Sequence, residues 1–127
     1  MDLVTLQEAK DNLLIDFADP QTDRDLALKV SAASASVLDY LRSRKAAWEI
    51  ERDDEGDPIT DSNGDKVYVT DSNGDKIVKS SVKQATLLLV GQFFRDRDGA
   101  AGDDWNPGYL PEPVKSLLYP HRDPALA

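Results

Sequence analysis

The run from Val82 to Phe94, V-K-Q-A-T-L-L-L-V-G-Q-F-F, limits the fold more than any other stretch of this chain. Ser81 and Gln84 have the spacing of a capping box, and the apolar residues after them leave almost no polar face. The segment therefore reads as a helix over about 82–97 that is buried on most sides. Arg95 and Arg97 would complement the dipole of its last turn, and Gly99 would close it. Such a helix cannot lie at a surface, so the rest of the chain has to supply helices that cover it.

Two amphipathic segments precede it. T-L-Q-E at 5–8 is a second capping box, and Leu6, Ala9, Leu13 and Phe17 follow at spacings of three and four, which predicts a helix over about 6–16 ended by Pro20. Thr22 and Asp23 offer N-cap oxygens, and Leu26, Val30, Ala33, Val37 and Tyr40 or Leu41 repeat along a second helix over about 24–48. The middle of this helix, S-A-A-S-A-S with Ser34 and Ser36, is small enough for close approach of another helix, from the same subunit or from a neighbour. Near the C-terminus Pro111 or Pro113 can start a short helix, Pro120 ends it, and residues 120–127 are expected to be an extended tail.

Between the helical parts the pattern changes. T-D-S-N-G-D-K occurs at 60–66 and again at 70–76, preceded by the looser D-E-G-D-P-I-T at 54–60. Asn-Gly favours tight hairpin turns because both residues tolerate positive φ, so 51–79 reads as an inserted β-hairpin or small meander. Asp61, Asn63 and Asp65, with Asp71, Asn73 and Asp75, also place oxygens at alternate positions, as a calcium loop does. Position six of such a loop would be Lys66 or Lys76 instead of glycine, and position twelve lacks glutamate, which argues against calcium.

At 127 residues one domain is expected: a helical body at 1–50 and 80–119, the insert, and the tail. The 24 acidic and 15 basic residues give a net charge of −9, which disfavours a nucleic-acid clamp and permits a conduit that does not grip DNA. Arg42, Arg44 and Lys45 form the one dense basic cluster, at a helix end where cations are favourable anyway. Trp48, Trp105 and Tyr109 read as core or interface anchors before stacking platforms. The opening M-D-L-V-T-L-Q-E-A-K has no secretory pattern and cysteine is absent, so folding in a cytoplasm is expected, without disulfides or a membrane span. No nucleophile motif or phosphate loop is present, and the single histidine, His121, stands beside Pro120 and Arg122 in the expected tail, so no catalytic residue, metal or cofactor is assigned.

Four segments resemble the head-to-tail connector (adaptor, head-completion) family of long-tailed bacteriophages. They are V-T-L-Q-E-A-K-D-N-L-L-I-D (4–16), D-R-D-L-A-L-K-V-S-A-A-S-A-S-V-L-D-Y-L (23–41), V-K-Q-A-T-L-L-L-V-G-Q-F-F-R-D-R (82–97) and L-P-E-P-V-K-S-L-L-Y-P-H-R (110–122). The insert is longer than that family leads one to expect, and Phe93-Phe94 replace a more usual Trp-Tyr pair. The resemblance implies a structural virion protein at the head–tail interface, a subunit of a ring of about twelve copies. That ring joins the portal protein to a stopper or tail-completion protein and extends the channel through which genome DNA passes without sequence-specific binding. On this reading Leu110, Pro111, Tyr119, Pro120, His121 and Arg122 are candidate portal contacts. Tyr68, Val69, Ser34, Ser36 and Trp48 are candidate subunit contacts. The competing readings are a small acidic protein-interaction module and a calcium-binding module.

Overall fold

The structure, a computed structural model, describes residues 1–95 and 110–122. Among them are four α-helices: α1 (Leu6–Asn12), α2 (Pro20–Leu41), α3 (Ser80–Arg95) and α4 (Glu112–Leu118). Short 3-10 turns lie at Lys45–Ala47 and Tyr119–His121. The protein is mainly helical, as its patterning predicts, and α3 packs against each of the other three helices. Residues 96–109, with Arg97, Gly99, Trp105 and Tyr109, lie outside the described residues, as do 123–127.

The capping box of α1 is complete: Thr5 Oγ1 accepts from the Glu8 amide at 3.0 Å, and Glu8 Oε1 accepts from the Thr5 amide at 2.9 Å. The helix ends four residues earlier than periodicity suggests. Leu14 takes a left-handed φ of 60°, and the Ile15 amide reaches back to the Lys10 carbonyl at 2.9 Å, a closure that competes with further helical bonds. Phe17 consequently leaves the apolar stripe and is 56% exposed.

Pro20 does not merely end one helix; it opens the next. Asp19 is the N-cap of α2, accepting from the Thr22 amide and hydroxyl, and Pro20 occupies the first turn, where its missing N–H costs nothing. α2 stops at Leu41 because Arg42 turns left-handed, φ 67°, and the chain then folds into the turn at Lys45–Ala47. α3 starts at Ser80, so the Ser81 box lies inside its first turn and does not set its boundary.

The core consists of Leu26, Val30, Ala33, Val37 and Leu41 from α2, Val82, Ala85, Leu89 and Val90 from α3, Ala9 from α1, and Val114 and Leu118 from α4, with Leu3, Val4 and Ala47. A fully buried leucine such as Leu89 contributes roughly 1.5–3 kcal/mol of transfer free energy. Two ion pairs set α1 on this body: Lys10 Nζ to Asp23 Oδ1 at 2.8 Å toward α2, and Lys83 Nζ to Glu8 Oε2 at 2.8 Å toward α3. Ser34 is wholly buried, and its hydroxyl accepts from the Leu3 amide at 2.9 Å, so this candidate subunit contact instead holds the N-terminal segment on α2.

The inserted β-hairpin is not what forms. Residues 48–78 make five isolated bridges and no strand among the described residues: Trp48 with Val78, Ile50 with Tyr68, Arg52 with Pro58, Thr60 with Lys66, and Thr70 with Lys76. The backbone closes in rings of three instead. The Glu49 amide donates to the Ile77 carbonyl, Ile77 to Val69, and Val69 to Glu49; one layer on, Glu51 donates to Val67, Val67 to Ile59, and Ile59 to Glu51. Turns ten residues apart leave so little chain between them that each segment changes partner after one bridge, and a ladder needs consecutive bridges to one partner.

The C-terminal part also differs from an extended arm. α4 buries Val114 and Leu118, and the chain continues through the turn at Tyr119–His121 as far as Arg122, whose Nε donates to the Tyr40 carbonyl at 3.1 Å. Pro120 and His121, expected in a free tail, are thereby held against the end of α2.

Candidate functional site

The three turns of the insert have one geometry. Asp53, Asp61 and Asp71 each use Oδ1 to accept two backbone N–H groups, two and four residues ahead, at 2.8–3.0 Å. Gly56, Gly64 and Gly74 then turn with φ of 86°, 82° and 83°, which a side chain would strain. The aspartates that open the supposed calcium loops are thus engaged in folding the turns. No group of three or more His, Asp or Glu side chains among the described residues is gathered to hold a metal ion.

Beneath the turns the aromatics gather. Trp48 and Tyr68 meet edge to face with centroids 5.4 Å apart, and Lys76 Nζ lies 4.4 Å from the Trp48 ring centre. These two candidate subunit contacts are half-buried, as are Val69 and Ser36.

Next to this pair is a cavity of about 380 Å³ that three distant parts of the chain enclose. The segment after α2 brings Lys45, the insert brings Arg52, Lys66, Tyr68 and Lys79, and the C-terminal turn brings Pro120, His121 and Arg122. Arg122 is fixed by the Tyr40 carbonyl and by stacking 4.8 Å from the Tyr40 ring centre. Arg52 is fixed by a bond from its guanidinium to the Gly56 carbonyl at 2.9 Å. Lys45, Lys66 and Lys79 have no ion-pair partner among the described residues.

The charge in this cavity acts on its own members. Burial lowers the Lys79 ammonium pKa, Lys66 and Arg52 lower it further, and Glu49 opposes them. Burial likewise lowers the His121 imidazole, with Lys79 adding to the effect and Glu49 opposing it. A protein with a net charge of −9 therefore contains a concave site whose lining carries no carboxylate.

Sequence patterning missed this site, because Arg52, Lys66, Lys79 and Arg122 stand apart in the chain and mostly beside acids, and Lys45 reads as part of a helix-end cluster. The Arg42, Arg44 and Lys45 cluster is split by the fold: Lys45 lines the basic cavity, while Arg42 and Arg44 line another of about 470 Å³ with Met1, Asp2 and Ser31. Of the candidate portal contacts, Tyr119 is 70% exposed and Pro120 is exposed, whereas Leu110, Pro111, His121 and Arg122 are half-buried.

Two further surfaces stand open. Leu14, 90% exposed, and Phe17 line a hollow of about 660 Å³ with Ile15 and Ala18 at the α1–α2 corner. On α2, Ala27, Leu28, Ser31, Ala32 and Ala35 form an exposed stripe of small residues, with Leu28 at 69% exposure. Among the described residues no helix is long and apolar enough to cross a membrane. Compared with protein-family models, with curated proteins and with solved structures, the chain matches none.

Proposed function

We propose that this chain is a structural subunit of a tailed-phage head-to-tail connector, with no catalytic role. It assembles as a ring of about twelve copies between the portal and the stopper or tail-completion protein, and the genome passes through its centre. The chain is made in the host bacterial cytoplasm and works in the virion. The observation that carries this reading is that the four helices α1–α4 fall largely on the four connector-like segments and share a single core, to which the unmatched insert adds no buried residue and only Val78 at its edge.

The surface is compatible with this role. A ring closed by rotation needs two unlike faces on each subunit. The Leu14 and Phe17 corner and the small outer face of α2 are unlike and both open. Tyr119 and Pro120, exposed where α4 ends, are the portal-facing residues in this proposal. The test is complementation: DNA-filled heads made without this chain should remain tailless, and purified chain added with tails should restore infectious particles. Normal tailed particles from cells lacking the gene would refute the proposal.

A further inference from the structure

From the basic cavity we infer an interaction site for a second copy of this chain, whose acidic insert turns dock into the cavity lined by Lys45, Arg52, Lys66, Lys79 and Arg122. The inference rests on the ring proposed above and specifies one of its contacts. Its physical basis is charge complementarity within one sequence. The turns at 53–57, 61–65 and 71–75 are exposed throughout and carry eight carboxylates and no cation, four in the first turn and two in each of the others. The cavity offers three lysines without an ion-pair partner among the described residues, one of them half-buried.

The insert supplies both halves of the proposed contact: the acidic turn tips, and Arg52, Lys66, Tyr68 and Lys79 of the cavity. A head-to-tail contact between neighbours brings unlike surfaces of identical chains together, as a ring requires. Carboxylates entering the cavity would offset the repulsion that Lys66 and Arg52 add to the larger effect of burial on Lys79, and would form charge-assisted hydrogen bonds to its ammonium.

The test is a charge swap in the full chain, read by native mass spectrometry of rings formed on the portal protein. One variant carries Lys45→Glu and Lys66→Glu in the cavity; the other carries Asp65→Lys and Asp75→Lys on the turns. All four positions are exposed, and circular dichroism verifies folding, with Lys45→Gln and Lys66→Gln as the milder pair should the first not fold. Each variant alone should lose at least tenfold in assembled fraction. An equimolar mixture should recover rings with equal numbers of the two, because reversed turns then meet reversed cavities.

Single variants that assemble like the wild type, or a mixture no better than its parts, would overturn the inference while wild-type rings left the connector reading intact. A cavity variant that fails while the turn variant assembles normally would move the site to the portal and overturn it too. Binding of a short DNA duplex that only the cavity variant loses, with no charge-swap recovery, would make phosphate the anion and overturn it as well. A wild-type chain that never assembles would remove both readings together.

Discussion

Two glycines with opposite geometry give opposite predictions. Gly64 has φ of 82° and open space where a Cβ would stand, so the cost of Gly64→Ala is backbone strain alone, about 1 kcal/mol by chemical denaturation, and Gly64→Asn should cost less. Gly91 lies inside α3, where an added Cβ would meet Arg95 and Leu13 at 3.6 and 3.7 Å, ordinary contact distances. Gly91→Ala should therefore be neutral or stabilising by up to about 1 kcal/mol. His121 is a third residue-scale probe, and as the chain's single histidine it gives one NMR titration. Its folded pKa is depressed, so the stability it contributes is present above the unfolded value and is lost as pH falls through the folded one. The imidazole should titrate below its ordinary range, and Lys79→Gln should restore the smaller part of the shift, since burial is the larger cause. A titration at or above the ordinary value would contradict the cavity described here.

Among the elements, the helices were legible in the sequence and the insert was legible only in part. The α1 cap could be read because T-L-Q-E is a local arrangement of bonds, and Thr5→Ala should cost about 1 kcal/mol in denaturant. The end of α1 could not be read, because the left-handed Leu14 has no glycine to announce it. Ser34 looked like part of a surface for another helix; its bond to the Leu3 amide depends on a contact 31 residues away that periodicity does not encode. Ser34→Ala should leave that amide unpaired and cost about 1–3 kcal/mol. The three turns of the insert were visible from their spacing, but not their closure in rings of three, since turn residues specify a local bend and not the partner. No insert residue from 49 to 77 belongs to the buried core. Replacing 50–76 by Asn-Gly, across the paired Glu49 and Ile77, should therefore leave a folded helical body, detectable as a cooperative melt by circular dichroism. A molten product would show that the insert stabilises the core.

On the scale of the whole molecule, charge sets the problem of assembly. In the proposed ring of about twelve copies a net charge of −9 per chain becomes on the order of −100, so free subunits should repel one another until a template orders them. The basic cavity was hidden from sequence reading because five cations scattered from Lys45 to Arg122 converge only after α2, the insert and the C-terminal turn have packed. The proposed function makes this helical body a ring subunit built onto a portal. It is tested most directly by the mass of the purified chain, alone and mixed with the portal protein encoded in the same genome, by native mass spectrometry. The chain should be a monomer that joins portal rings at a fixed ratio of about one chain per portal subunit. A chain that keeps the same mass with and without the portal, and leaves the portal ring unoccupied, would contradict it.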